Sequence, residues 1–254
     1  MLIDTTNKTI TFNEGDKIDL DSSEGFRIVS DLWVRCGISQ KYSYGFSWLG
    51  RPIIQMPDDM IRVQEVITQV EPNIIIETGV AHGGSLVYYA SLLKLLHSGK
   101  EDCLAIGVDR HVREENIREI NSVRSKYNLQ LHLVEGDSVS PGALEKVEFS
   151  IRSVKRHSAI PRKCLVVLDS NHSYQHVLAE LRAYSQFVTP GSYIVVTDGI
   201  IEEWSEDNPA RAARQFVAEN SSCWEIVEPK WPFNESKLTH RVTGWPGCFL
   251  RRKD

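Results

Sequence analysis

Residues 74–86 read IIIETGVAHGGSL. Three isoleucines in succession predict a strand buried on both faces, because β-branched side chains suit the pleat and a solvated face would impose alternation. The run then meets a carboxylate, Glu77, turns through Gly79, Gly83 and Gly84, and resumes with helical spacing from Ser85. Glycines in a strand-to-helix turn admit positive φ and let backbone N–H groups approach a ligand. The spacing is G-x-x-x-G-G, not the G-x-G-x-x-G that cradles a dinucleotide pyrophosphate. A carboxylate two residues ahead of the first glycine would repel a pyrophosphate and attract a cation.

The same grammar recurs outward from this stretch. Further apolar runs are CLAIGVD (103–109), LQLHLVEGD (129–137), CLVVLDS (164–170) and SYIVVTDG (192–199). Helix-spaced segments separate them: Leu86, Tyr89, Ala90, Leu93 and Leu96, stopping near Gly99, and Val177, Leu178, Leu181 and Tyr184, ending at Pro190-Gly191. A helix at NPARAARQFVAEN (208–220) and strands at WEIVEPK (224–230) and GCFLRRK (247–253) follow. Short buried strands alternating with helices predict an α/β fold, a doubly wound, mostly parallel, seven-stranded sheet with Rossmann-like crossovers. Residues 1–56 read as an N-terminal extension and substrate cover, with a helix at SEGFRIVSDLWVRC (23–36) and the aromatic-rich YSYGFSWLGRPIIQMP (42–57). Residues 57–254 read as the catalytic domain.

Composition narrows the function classes. A chain of 254 residues with net charge −5 is one large domain without bulk attraction for nucleic acid or anionic lipid. No apolar run reaches the ~20 residues of a membrane span, and the N-terminus lacks the n- and h-regions of a signal peptide, so a cytoplasmic protein is expected. Five dispersed cysteines without a C-x-x-C pair read as reduced thiols rather than disulfides or a zinc site.

All five runs end in or meet an acid: Glu77, Asp109, Asp137, Asp169 and Asp198. Ligands of doubly wound sheets bind beyond these strand ends, and capping alone would mix in Ser, Thr and Asn. A row of carboxylates with a glycine turn fits S-adenosylmethionine. Glu77 and the Gly79–Ser85 turn would hold its amino-acid end, Asp109 its ribose hydroxyls, and Asp137 with Ser138 would lie near the adenine. The candidate cofactor-binding set is Glu77, Thr78, Gly79, Gly83, Gly84, Ser85, Asp109, Arg110, Asp137, Ser138 and Asp169. Neighbouring parallel strand tips lie ~4.8 Å apart, so Asp169 and Asp198 can share a magnesium ion that lowers the pKa of an acceptor hydroxyl. The plainer alternative makes Asp169 a cap for the helix near Ser173 and Asp198 a turn former. His172 is the candidate base. His82 is expected beside the cofactor, and His176 without a role. Tyr42, Tyr44, Phe46 and Trp48, with Trp204 and Trp231, are candidates for the acceptor pocket, about half of them serving as core instead.

The segments WLGRPIIQMPDD (48–59), IIETGVAHGGS (75–85), VLDSNHSYQHV (167–177) and YIVVTDG (193–199), with the tail from Gly247 to Arg251, resemble the cephalosporin hydroxylase / rhamnosyl O-methyltransferase family over residues 45 to 252. The resemblance implies a class I methyltransferase fold and magnesium-assisted methyl transfer from S-adenosylmethionine to a hydroxyl, often on a sugar. It also implies Asp169 and Asp198 as metal-binding strand ends, a small-molecule or sugar acceptor, and association into a homo-oligomer; Asp169 and His172 are the residues expected at the chemistry. Relatives often place an acid or amide beside the second aspartate, where this chain has Thr197 and Gly199. Glu202 or Glu203 would then replace it as third ligand. Iron chemistry finds no support, since His172 and His176 share one helix without a converging partner. Two other readings remain: an NAD(P)-dependent oxidoreductase on a similar sheet, and a cofactor-binding module without catalysis.

Overall fold

The computed structural model describes residues 1–12, 15–98, 102–154, 162–233, 235 and 238–254. The chain begins with an antiparallel three-stranded sheet, β1 (Leu2–Asp4), β2 (Thr9–Thr11) and β3 (Lys17–Asp19). Helix α1 (Ser23–Ser39), a 3-10 turn (Tyr42–Gly45) and the hairpin β4 (Phe46–Trp48) and β5 (Arg51–Ile53) follow. Ser22 caps α1 by accepting from the Gly25 N–H. Helix α2 (Pro57–Val70) opens with proline at its first position and Asp58 and Asp59 in its first turn, where the helix dipole favours them.

The alternating core then runs β6 (Ile74–Thr78), α3 (Gly84–Leu96), β7 (Leu104–Asp109), α4 (Glu114–Tyr127), β8 (Leu131–Glu135), α5 (Pro141–Ser153), β9 (Cys164–Leu168), α6 (Tyr174–Tyr184) and β10 (Tyr193–Val196). A 3-10 turn (Gly199–Glu203), α7 (Pro209–Glu219), β11 (Trp224–Ile226) and β12 (Phe249–Arg252) complete it. Gly99, the expected stop of α3, lies outside the described residues.

The seven strands pair in the order β11-β12-β10-β9-β6-β7-β8. β12 runs antiparallel to both neighbours and the other described pairings are parallel. Every residue of β6 and β9 is buried, as the continuous apolar runs required. From β6 the chain proceeds to β7 and β8 on one side, then returns to β9 and β10 on the other. The strand order therefore reverses between β6 and β9, the switch point where such sheets bind ligands.

The N-terminal extension differs in detail from expectation. The β1–β3 sheet was not anticipated, and the hairpin is fastened to the core. The Trp48 indole N–H donates to Ser91 Oγ at 3.0 Å, and its ring meets Tyr88 edge-on at 4.9 Å. Trp48 is thus core material. No described helix is long and apolar enough to cross a membrane.

Candidate active site

The turn after β6 is built by close approach. Gly79 has φ +85°, and a Cβ there would stand 1.9 Å from the Asp169 carbonyl oxygen. Only glycine lets the tips of β6 and β9 meet so closely. A Cβ on Gly84 would stand 2.1 Å from the Pro52 carbonyl, so the same turn also seats the β4–β5 hairpin. The buried Arg51 guanidinium donates to the His82 carbonyl at 2.8 and 3.1 Å and to Asn116 Oδ1 at 2.9 Å. Asp109 Oδ2 accepts from the Val80 and Ala81 N–H groups at 2.8 and 3.0 Å, and Oδ1 from the His111 N–H at 3.0 Å. Three of its roughly four lone pairs are thereby engaged within the chain. Its first duty is bracing the turn, which is part of what a plain structural acid would do.

A cleft of about 310 Å³ opens at this edge, lined among others by Gly79, Asp109, Asp137, Ser138, Asp169 and His176. Arg110 and Asp137 form an ion pair of 2.6 Å, which holds the Asp137 carboxyl below its usual range. Glu77 is fully buried, and neither of its oxygens meets a donor at full hydrogen-bond geometry. Burial raises its carboxyl well above the carboxylate range. The Ser85 hydroxyl opposes this, and the charges of Asp169 and Asp109 add to it. Thr78 Oγ1 is likewise buried without a partner. Unpaired buried acceptors around a glycine cradle suit a cationic donor group, so these residues fit S-adenosylmethionine.

His176, expected to have no role, lines this cleft. Its Nε2 lies 3.2 Å from Ser138 Oγ and 3.4 Å from Oε1 of the fully buried Glu180, which raises the imidazole pKa. Ser170 Oγ donates to the same Glu180 oxygen at 2.7 Å.

Beside the cleft, one ligand atom each from Asp169, His172 and Asp198 lies within 4.8 Å of the others. His172 Nε2 stands 3.3 Å from Asp198 Oδ2. Asp169 accepts from Thr197 Oγ1 at 2.6 Å and Gln55 Nε2 at 3.3 Å. Burial raises its pKa, and the Asp198 charge adds to the rise. Asp169 does not cap α6 through its side chain. The Ser173 N–H goes to Asn171 Oδ1 and the Tyr174 N–H to Asp207 Oδ1. Asp198 has φ +56°, a left-handed conformation uncommon outside glycine that presents its carboxylate at the strand tip. Two carboxylates and an imidazole are a donor set for a divalent cation. The expected third ligands are engaged elsewhere, Glu202 with Arg214 at 2.8 Å and Glu203 with Arg35 at 2.6 Å. His172 is the third member of the cluster.

Of the candidate pocket aromatics, Tyr42 stacks edge-on between Trp33 and Phe46, each at 5.0 Å, and Tyr44 and Trp204 are exposed. Trp231 carries the guanidinium groups of Arg62 and Arg241 at 4.8 and 3.9 Å from its centroid. It borders a second cavity of about 400 Å³ between the first turn of α2 and residues 238–243.

An open sheet with its sixth and seventh strands ordered β11-β12, the last reversed, and an acid-rich cleft at the switch point is the class I methyltransferase fold. Residues 40–253 match the model of the rhamnosyl O-methyltransferase/CmcI family, and the chain belongs to that family. It is 29% identical over 143 residues to the rhamnosyl O-methyltransferase of Mycobacterium tuberculosis (strain H37Rv), covering 56% of this chain and 52% of that protein. The corresponding enzyme of Mycobacterium leprae (strain TN) is 28% identical over 153 residues, covering 60% and 59%. The matched region thus spans little more than half the length of these curated relatives. Among solved structures, CmcI described as Mg-SAM superposes with TM-score 0.54 at 18% identity, over 83% of this chain and 78% of that one. An apo TDP-rhamnose 3'-O-methyltransferase of calicheamicin biosynthesis gives 0.51 at 19%, over 69% and 74%. At such identities the likeness concerns the fold.

Proposed function

We propose that this protein is an S-adenosylmethionine-dependent, magnesium-assisted O-methyltransferase acting on a sugar hydroxyl, rhamnose being the first acceptor to try. The observation that carries the reading is the fully buried Glu77 with two unpartnered oxygens beside the Asp169–His172–Asp198 cluster. A dinucleotide-dependent oxidoreductase would have no use for an acid at that position, and the curated relatives are named as rhamnosyl methyltransferases.

S-adenosylmethionine supplies an electrophilic methyl group, and a divalent cation held by Asp169 and Asp198 would favour ionisation of a nearby hydroxyl. The chain's own contribution is alignment and proton handling. Glu77, Asp169 and the glycine turn fix the donor's amino-acid end, and Asp137, Ser138 and His176 face its other end. His172, whose Nε2 stands beside Asp198, would take the acceptor's hydroxyl proton, leaving the two carboxylates to hold the cation, as the methyl group passes from sulfur to that oxygen. The second cavity suits the acceptor. Asp59 on its wall accepts from the Gly244 N–H at 2.9 Å, and the Gly244 carbonyl accepts from Ile200, two residues beyond Asp198. It therefore lies near the cation cluster, close enough for the Asp198 charge to bear on Asp59.

The test is transfer of labelled methyl to a panel of free, nucleotide-linked and lipid-linked rhamnosides, with magnesium or with EDTA. Activity that needs magnesium and falls at least about a hundredfold in Asp169→Asn and Asp198→Asn supports the reading. Unchanged turnover in EDTA removes the metal, and stabilisation by NAD but not S-adenosylhomocysteine removes the methyl donor.

A further inference from the structure

Gln55 is the residue this site uses without advertising it. It follows the β4–β5 hairpin, is 4% exposed, and stands among Ile53, Met56 and Tyr89, all buried. Its Nε2 donates to Asp169 Oδ2 at 3.3 Å and lies 3.5 Å from the Tyr89 hydroxyl oxygen. A carboxylate accepts and never donates, so the amide nitrogen must face Asp169 and the carbonyl must face away. That carbonyl, Gln55 Oε1, has no hydrogen-bond partner. Neither Glu77 oxygen meets a donor at full hydrogen-bond geometry, although the Ser85 hydroxyl is near enough to favour its charged form, and Glu77 and Tyr89 lie close enough for the Glu77 charge to bear on the phenol. Buried amides normally find partners for both ends, so an unpartnered carbonyl on a side chain whose nitrogen holds a cleft-lining acid needs an explanation.

We infer that Gln55 is a positioning residue for the amino-acid end of the methyl donor: its amide nitrogen holds Asp169 in place, and its free carbonyl joins Glu77 in surrounding the donor's α-ammonium. An ammonium brings three N–H donors, one of which the Gln55 carbonyl lacks, and a positive charge that would favour the ionised forms of Glu77 and Asp169 against their burial. This rests on the proposed use of S-adenosylmethionine. It also gives the hairpin a purpose other than covering the substrate. Arg51 on the His82 carbonyl, Pro52 against Gly84 and Trp48 on Ser91 seat the strand that delivers Gln55.

The experiment compares two ligands by calorimetric titration on the full chain: S-adenosylhomocysteine, which has the ammonium, and 5′-methylthioadenosine, which lacks the whole amino-acid end. In Gln55→Met, of similar shape without polar atoms, S-adenosylhomocysteine should bind about tenfold more weakly while 5′-methylthioadenosine keeps its Kd within about twofold. Equal weakening of both ligands makes Gln55 a packing residue and overturns the inference, as does unchanged binding of S-adenosylhomocysteine. Should Gln55→Met fail to fold, Gln55→Asn keeps the amide one methylene short of Asp169, and the same two-ligand ratio is read. If the unmutated protein binds neither ligand, it is the methyl-donor reading that fails, and the two failures are told apart.

Discussion

Replacing Glu77 with methionine should make the protein more stable and a worse binder at once. Methionine keeps the unbranched shape and deletes a carboxyl that is fully buried with neither oxygen hydrogen-bonded. Leaving one buried polar group unsatisfied costs about 1–3 kcal/mol, so Glu77→Met should gain roughly that much. For a domain of this size 1 kcal/mol moves Tm by about 2–4 °C, which puts the rise between about 2 and 12 °C. The pH dependence has a definite sign. Burial raises the folded-state pKa well above the ordinary value of 4.5, so the native carboxyl binds its proton more tightly than the unfolded one. The unmutated protein therefore loses stability as pH climbs from about 4.3 towards the folded-state value, and the advantage of Glu77→Met should grow over the same interval. Binding moves the other way. Loss of charge-assisted hydrogen bonds to a donor ammonium, about 1.5–3 kcal/mol, should weaken S-adenosylhomocysteine roughly 10- to 150-fold. Differential scanning fluorimetry at pH 5 and 8 gives the first quantity and calorimetry the second. A variant that melts lower and binds as before would mean that Glu77 serves the fold, and the reasoning from its empty hydrogen bonds would be wrong.

Gly79→Ala places a methyl against the Asp169 carbonyl at positive φ and should lower Tm by at least about 5 °C with loss of S-adenosylhomocysteine binding, whereas Gly142→Ala, in α5 with open space around it, should leave binding intact and stabilise by about 0.5 kcal/mol. Asp59 is 1% exposed, and burial, against the opposing bonds from Thr243 and Gly244, raises its pKa to about 7. Its contribution is present below about pH 4 and lost as pH rises to 7, up to about 4 kcal/mol, so urea denaturation of Asp59→Asn should show a flatter stability profile across that window. Among the thiols, Cys36 and Cys223 are exposed and Cys103, Cys164 and Cys248 buried, with burial pushing Cys103 to about 11 and the other two higher still. Iodoacetamide should therefore label two cysteines in the native protein and five after denaturation, by intact mass.

The central strands were legible because a strand covered on both faces must be apolar throughout, and NIIIETG and CLVVLDS leave no alternative of comparable length. The β1–β3 sheet was not, since three-residue strands such as LID and KID are too short to show a period of two. Glu180 left a signal that went unread. It sits three residues after Val177 and four before Tyr184, on the face those buried residues share. Gln55 left none in spacing, because its partner Asp169 lies 114 residues away.

The five strand-end acids look alike in sequence, and only their hydrogen bonds separate them. Asp109 spends its acceptors on three backbone amides, and Asp137 spends its own on Arg110 and the Val139 N–H. Those two shape the cleft and keep only part of their accepting capacity, about one lone pair on Asp109 and two on Asp137, for a ligand. Glu77 meets no donor at full hydrogen-bond geometry, the Asp198 carboxylate has the His172 imidazole and Asp169 beside it, and Asp169 is held by two neutral groups. Acids that burial biases towards their protonated forms are thus concentrated around β6, β9 and β10, at the point where the strand order reverses. A cation on this edge is drawn there, because it can displace those protons and supply pairing that the described residues withhold.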